Sequence, residues 1–231
     1  MSASTILALE TSSELASVAL LRGEELIVRE SGGVQTHSQS VLPMVQAVLK
    51  EAGIALAQCD AIAFGAGPGS FTGVRTACGV AQGLAFGSAR PLVPVVTLTA
   101  VAQACRERTG AADVLAVLDA RMEEVYWAQY RYQDGWQTVI APRLSAASDV
   151  APEGEVVLCG NGFSAYATAF AALAEKYPVH ANLVPHAAQV ARLATRALAE
   201  GKTVEARDAQ PLYLRNKVAL TTLERAAKVA T

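Results

Sequence analysis

Residues 65–87 read GAGPGSFTGVRTACGVAQGLAFG, a glycine-rich turn followed by a predicted helix. The turn comes after an apolar run at 61–64, which predicts a buried strand. Within the helix, glycine recurs at every fourth position, at Gly79, Gly83 and Gly87. Because glycine costs about 1 kcal/mol relative to alanine in a helix interior, this spacing predicts close approach of another backbone. That backbone is either a sheet of the same chain or a helix of a partner.

The turn itself has two interpretations. Free backbone amides at a helix N-terminus favour an anion site, with Gly67 and Gly69 as contacts. However, the P-loop pattern fails because the second glycine and the lysine are absent. The dinucleotide fingerprint fails as well, because Thr72 stands at the third glycine position. An anion site and a purely structural turn therefore both remain open.

Composition predicts a cytoplasmic protein with an ample core. The chain has 231 residues, of which 52% are hydrophobic, and no apolar run is long enough to span a membrane. Its first residues, MSASTILALETSS, lack the basic region of a secretory signal. The four cysteines are far apart and form no C-x-x-C pair, which indicates buried thiols rather than disulfides or a zinc site.

Charge argues against unaided binding of nucleic acid. Nineteen basic and twenty-one acidic residues give a net charge of −2, and no basic run occurs. A protein that grips RNA by itself usually carries a positive face. If RNA is involved, we expect another subunit to supply most of the contact.

The predicted elements follow one order twice. Three strands precede alternating helices and strands in each half, which predicts a duplicated α/β unit with mixed sheets and a seam near 97–112. The strands are predicted at 5–10, 16–22, 25–30, 60–65, 91–96, 113–118, 123–132, 136–141 and 155–159, and the helices at 40–51, 73–86, 98–108, 163–176 and 186–200.

This layout resembles the two-lobed actin-like, sugar-kinase and Hsp70 superfamily, whose fold is RNase H-like. The resemblance implies an N-terminal lobe at 1–100 that carries partner-binding helices, and a C-terminal lobe at 101–231. The segment from about 207 onward is expected to pack back on the first lobe.

In that superfamily each lobe presents an acidic turn of the pattern Asp-x-Gly to the phosphates. The corresponding turns here are ETSS at 10–13 and DARM at 119–122. Ser12 and Arg121 stand at the glycine positions and add side chains where phosphates and their metal would crowd. This argues against an independent ATPase. The residues predicted to contact a nucleotide or anion at a subunit junction are Glu10, Thr11, Ser12, Gly67, Gly69, Asp119 and Arg121.

Five motifs together resemble the bacterial TsaB (YeaZ) family from residue 5 to about 219. They are LALETSS at 7–13, THSQSVLP at 36–43, GPGSFTGVRTACGVAQGLA at 67–85, LDARMEEVYWA at 118–128 and PLYLRNKVA at 211–219. The resemblance implies a non-catalytic paralogue of TsaD, the subunit that transfers a threonylcarbamoyl group to N6 of the adenosine next to the anticodon of tRNA. It implies binding to TsaD, to the ATPase subunit TsaE and to a second copy of the chain, with tRNA reached only through the complex. It implies no cofactor of its own, but ATP or ADP at the interface with TsaD.

The predicted partner interface consists of His37, Ser38, Val41, Val45, Arg75, Gly79 and Gly83. Residues 37–39 are either an ordinary helix cap or part of a partner-facing helix start. Arg75 places a positive charge in the first turn of the predicted helix, where the helix dipole disfavours it. We therefore expect Arg75 to pair with a carboxylate or an anion. Asp119 and Arg121 form either an internal ion pair or a nucleotide contact.

The sequence predicts no catalytic residue and no metal ligand. His37, His180 and His186 are not paired one helical turn apart, the spacing of a helical metal site. Neither H-E-x-x-H nor G-x-S-x-G occurs. The alternative function is a self-sufficient ATP-dependent kinase or ATPase of the same fold.

Overall fold

The structure, a computed structural model, describes residues 4–32 and 37–215. Ten strands form two sheets: β1 Thr5–Glu10, β2 Ala16–Arg22, β3 Glu25–Ser31, β4 Ala61–Gly67, β5 Leu92–Val96, β6 Asp113–Asp119, β7 Glu124–Tyr132, β8 Trp136–Ala146, β9 Val157–Cys159 and β10 Val179–His180. The α-helices are α1 His37–Glu51, α2 Phe71–Ser88, α3 Thr97–Thr109, α4 Gly162–Ala165, α5 Ala171–Lys176 and α6 Ala187–Ala199.

The two sheets have the same topology. The first has the strand order β3-β2-β1-β4-β5, and the second, taken from its far edge, has the order β8-β7-β6-β9-β10. In each sheet the first three strands are antiparallel, and the last two run parallel to the first strand of their unit. The predicted duplication with mixed sheets is confirmed.

Helices cover both sheets and separate them. The helices α1 and α2 pack on the outer face of the first sheet, and α4 and α5 pack on the outer face of the second. Between the sheets, α6 lies against the first and α3 lies mainly against the second. Every residue of β1 is buried, because this central strand has helices on both faces. Its residues 6–9 are therefore all apolar rather than alternating between apolar and polar.

The position of α6 differs from the predicted division into lobes. Its residues Val190, Ala191 and Ala194 pack against Ile6 and Ala8 of the first sheet, although the helix follows all strands of the second. The chain thus contacts the first lobe from residue 187 onward. The segment expected to pack back from about 207 lies on the same lobe, because Ala209 belongs to the core under α1 and α2 and the side-chain amide of Gln82 donates to the carbonyls of Ala206 and Ala209.

Two local predictions are also corrected. The helix predicted at 163–176 is two short helices, α4 and α5. Phe170 between them is buried, and its ring centroid lies 4.6 Å from that of Phe163. The two-residue strand β10 was not predicted, since two residues carry no periodic signal. Among the residues that the structure describes, no helix has both the length and the apolar character of a membrane span.

Candidate functional site

A cleft of about 580 Å³ lies between the lobes, where the chain leaves the first strand of each sheet. The turn after β1 forms one wall and the turn after β6 forms the other. The described residues that line it are Ser12, Ser13, Glu14, His37, Pro68, Gly69, Ser70, Phe71, Val74, Leu118, Asp119, Ala120, Arg121, Met122, Tyr126, Asn161, Leu212, Tyr213, Leu214 and Arg215.

Glu10 at the end of β1 is turned away from this cleft. Its side chain is fully buried, and Oε1 accepts a hydrogen bond from the amide of Ser12 at 2.6 Å. Oε2 has no hydrogen-bond partner among the described residues. Burial raises the pKa of Glu10, and the hydrogen bonds from Ser12 and Thr11 oppose that shift only in part.

Three glycines between the end of β4 and the start of α2 make room for the turn after β1. A Cβ at Gly65 would overlap the Glu10 carboxylate, and one at Gly73 would overlap the carbonyl oxygen of Thr11. A Cβ at Gly69 would lie 2.6 Å from the Cβ of Ser12. These three glycines are therefore required by packing between two segments of one chain.

The predicted nucleotide or anion contacts are only partly brought together. Ser12, Gly69, Asp119 and Arg121 line the cleft. The prediction is wrong for Glu10, Thr11 and Gly67, which are buried behind the wall. The physical reason is the close packing just described, together with the carbonyl of Leu212, which lies 3.0 Å from the position of a Cβ on Gly67.

Asp119 organises the opposite wall. Its Oδ1 accepts hydrogen bonds from the amide of Arg121 at 2.7 Å and from the hydroxyl of Tyr166 at 2.9 Å. Oδ2 lies 3.1 Å from Nη1 of Arg121, so the predicted internal ion pair is present. The amide of Asp119 donates to Oδ1 of Asn161 at 3.0 Å. Tyr166 and Asn161 were missed, because nothing in their local sequence points to a residue more than forty positions away.

The turn after Asp119 has a left-handed backbone at three successive residues. The φ angles of Arg121, Met122 and Glu123 are 62°, 60° and 64°. Arg121 thus has the conformation that favours glycine, at the position where the superfamily pattern has glycine. The side chain of Arg121 is 84% exposed and lines the cleft.

The predicted partner interface divides into an exposed part and a buried part. Gly79 and Gly83 are exposed, and no atom lies within 4 Å of a Cβ built on either. The prediction is wrong for Val41 and Val45, which are 0% and 3% exposed and belong to the core under α1. The apolar stripe of α1 packs on its own sheet, and its exposed large apolar side chain is Leu42.

His37 and Arg75 lie at the border between the cleft and this face. The Nδ1 atom of His37 is 3.1 Å from the carbonyl oxygen of Thr11, and Ser38 beside it is exposed. The guanidinium carbon of Arg75 lies 3.6 Å from the ring centroid of Phe71, and its Nε donates to the hydroxyl of Tyr213 at 2.8 Å. Within residues 4–32 and 37–215 Arg75 has aromatic partners and no ion pair, which corrects the expected carboxylate partner.

The outer face of α2 carries aromatic side chains at both ends of its glycine stripe. Phe71 is 43% exposed and Phe86 is 83% exposed, and Gly79 and Gly83 lie between them. Leu42 on the neighbouring helix α1 is 47% exposed. Three of the five large exposed apolar side chains of the described residues therefore lie on these two helices.

Two lobes of one topology that face each other across a cleft define a protein of the actin-like, sugar-kinase and Hsp70 superfamily. Residues 23–223 match the family described as TsaD, tRNA N6-adenosine threonylcarbamoyltransferase. The tRNA threonylcarbamoyladenosine biosynthesis protein TsaB of Haemophilus influenzae is 40% identical over 228 residues, covering 93% of this chain and 94% of that protein. The protein of the same name from Escherichia coli K12 is 39% identical over 221 residues, covering 93% and 96%.

A solved structure agrees with these relatives. YeaZ from Pseudomonas aeruginosa superimposes with a TM-score of 0.83 at 41% identity, covering 91% of this chain and 100% of that chain. The chain therefore belongs to the TsaD family, and within it to the TsaB (YeaZ) proteins.

Proposed function

We propose that this chain is a non-catalytic subunit of the tRNA threonylcarbamoyladenosine pathway. It binds TsaD and positions it for transfer of the threonylcarbamoyl group to N6 of the adenosine next to the anticodon. Two relatives named for this biosynthesis are about 40% identical to the chain over nearly their whole length, which supports a role in the same pathway. In this proposal the chain acts in the cytoplasm, TsaE docks on the pair, and tRNA is reached only through the complex.

The proposal of a non-catalytic role rests on the contacts that the carboxylates of the two acidic turns, Glu10 and Asp119, make within the chain. An ATPase of this fold needs carboxylates free to act on a metal and on phosphates between the lobes. Here Glu10 is buried against Ser12, and both oxygens of Asp119 accept donors of this same chain. The donor set therefore does not fit a metal–nucleotide complex held by this chain alone. ATP or ADP at an interface with TsaD stays a prediction from the resemblance.

The outer face of α1 and α2 supports the binding role. Exposed glycine at Gly79 and Gly83 lets another helix approach closely, and Phe71, Phe86 and Leu42 offer apolar surface around that contact. Because TsaD belongs to the same family, we propose that one face serves both a homodimer and the pair with TsaD. The two assemblies then compete for it.

A reconstituted reaction tests this proposal. TsaD and TsaE of the same organism, unmodified tRNA and threonylcarbamoyl adenylate are combined with and without the chain, and modified adenosine is measured by mass spectrometry. We expect product formation to depend on the chain. We also expect ATP hydrolysis by the chain alone to stay at background.

The variant Asp119→Asn identifies the source of any hydrolysis. ATP turnover by the purified wild-type chain that this variant abolishes would overturn the non-catalytic role. Product formation by TsaD and TsaE that proceeds equally well without the chain would overturn the role of the chain as a required subunit.

A further inference from the structure

Residues 211–215, named the strap, line the cleft from position 212 onward and bind the first lobe at one end. The amide of Leu212 donates to the carbonyl of Ala66 in β4 at 2.7 Å. The hydroxyl of Tyr213 accepts a hydrogen bond from Nε of Arg75 at 2.8 Å, and its ring centroid lies 6.1 Å from that of Phe71. The strap is thus fastened to the end of β4 and to the first turn of α2.

The other end of the strap is fastened to the second lobe. Leu214 packs against the core of that lobe. Nη2 of Arg215 donates to the carbonyl of Ala120 at 3.0 Å and to Oε2 of Glu124 at 2.6 Å. The side chain of Arg215 is only 14% exposed, so these charged contacts are less screened by water than those of a surface pair.

The turn that Arg215 holds is the strained one. Arg121, Met122 and Glu123 all have left-handed φ angles, a conformation that persists in residues with side chains only where the surroundings enforce it. Within the turn, the amide of Ala120 donates to the carbonyl of Glu124 at 3.0 Å. Arg215 adds contacts at both ends of this turn, since it binds the carbonyl of Ala120 and the carboxylate of Glu124.

We propose that the strap is a conformational lock. It ties the two lobes together across the cleft, and it holds the turn Ala120–Glu124 in its left-handed form. Two-lobed proteins commonly open and close by hinge motion. Hydrogen bonds of Leu212, Tyr213 and Arg215, together with the packing of Leu214, restrain that motion here. This inference does not depend on the partner or the reaction proposed above.

The variant Arg215→Met tests the lock, because it keeps an apolar stem of similar length and removes every donor. Arg207→Met is the matched control. Arg207 lies near the strap, but its side chain is 78% exposed, and its ion pairs among the described residues are with Glu205 and Asp208 at the surface. Hydrogen exchange reports on the turn. We expect amides of 120–124 to exchange about tenfold faster or more in Arg215→Met and at the wild-type rate in the control.

The distance between the lobes is the second readout. Spin labels on cysteines introduced at Gln46 and Ser148, which are exposed on different lobes, give a distance distribution by pulsed electron resonance. The four native cysteines are buried, which favours selective labelling. Dilution into an excess of the unlabelled form of the same variant removes distances between copies. We expect a narrow distribution for the wild type and the control, and a broader one for Arg215→Met.

A folded Arg215→Met chain with wild-type exchange in the turn and an unchanged distance distribution would overturn the lock. If this variant does not fold, Glu124→Gln carries the same test, because it removes the charge that Arg215 binds and keeps the shape of the side chain. Faster exchange confined to 120–124 and a broader distribution support the lock; wild-type values in both measurements overturn it.

Discussion

Leucine in place of Gly83 tests whether the outer face of α2 is an interface. Apart from the backbone of α2 itself, no atom of the described residues lies within 4 Å of a Cβ at this position, so we expect the chain to accept the side chain without a core clash. Leucine is also a better helix former than glycine, which raises the free energy of unfolding by about 0.5–1 kcal/mol. At a close helix–helix contact, the same side chain costs about 1–3 kcal/mol through overpacking. That cost corresponds to a loss of affinity of about 5- to 150-fold.

The assay separates folding from association. Urea unfolding measures the stability of the variant, and size-exclusion chromatography with light scattering measures its oligomeric state. Titration calorimetry measures its affinity for TsaD. A symmetric homodimer contains the contact twice, so we expect the loss to be larger for the homodimer than for the pair with TsaD. Ala172→Leu is the control, because it adds an exposed leucine to α5 on the other lobe.

One result would refute this reasoning. If Gly83→Leu folds with at least wild-type stability and still dimerises and binds TsaD at wild-type strength, then the glycine stripe is not part of either interface. The partner face would then have to be sought elsewhere on the molecule.

Two further predictions concern Glu10 and the glycine turn. Burial raises the pKa of Glu10 above its ordinary value of 4.5, so the folded chain binds a proton on this carboxyl more tightly than the unfolded chain does. Protonation of Glu10 therefore stabilises the fold fully below pH 4.5, and this stabilisation is lost as the pH rises through the raised pKa. Glu10→Gln has no carboxyl to ionise, so we expect its unfolding free energy, relative to that of the wild type, to increase with pH. Urea unfolding at a series of pH values measures both free energies, and an equal dependence on pH in the two proteins would contradict this. Gly73→Ala is expected to destabilise the chain by about 1–3 kcal/mol or more, because its Cβ meets the carbonyl of Thr11. Gly79→Ala, with open space around its Cβ, is expected to stabilise the chain by up to about 1 kcal/mol. Equal unfolding midpoints for Gly73→Ala and Gly79→Ala would show that the space around each glycine does not determine the effect on stability.

Nine of the ten described strands, all except β10, were predictable because their apolar runs are long and separated by clear turns. The run at 5–10 and the hairpin at 16–30 lie where the sequence predicts them. The duplication and the mixed character of the sheets followed from the repeated pattern, whereas the order of the strands within each sheet was not predicted. The place of α6 did not follow, because an amphipathic helix shows which of its faces is buried but not which sheet buries it.

Within the site, local features were predictable and distant contacts were not. The ion pair of Asp119 and Arg121 joins two residues of one turn. Tyr166 reaches the same carboxylate from a segment that only the folded chain brings near. Val41 and Val45 were assigned to an interface because an apolar stripe has the same spacing whether it faces a core or a partner.

The glycines show the same limit. Gly65, Gly69 and Gly73 are needed because another segment of the chain lies against them, whereas Gly79 and Gly83 have open space around them. For the turn and for the helical stripe alike, the sequence leaves open whether the glycines serve packing within the chain or binding of another molecule. Only the position of the turn after β1 distinguishes the two groups.

The position of α6 sets an order of events during synthesis. When the ribosome has released β5, all five strands of the first sheet exist, yet the face formed by Ile6, Ala8, Ala61 and Ala63 still lacks the helix that covers it. That helix is translated only after the entire second sheet. The nascent N-terminal half therefore exposes an apolar surface while the other half is being made, and a fragment ending near residue 100 is expected to aggregate rather than fold. The two halves repeat one topology, but the first half depends on a helix that follows the second in the chain.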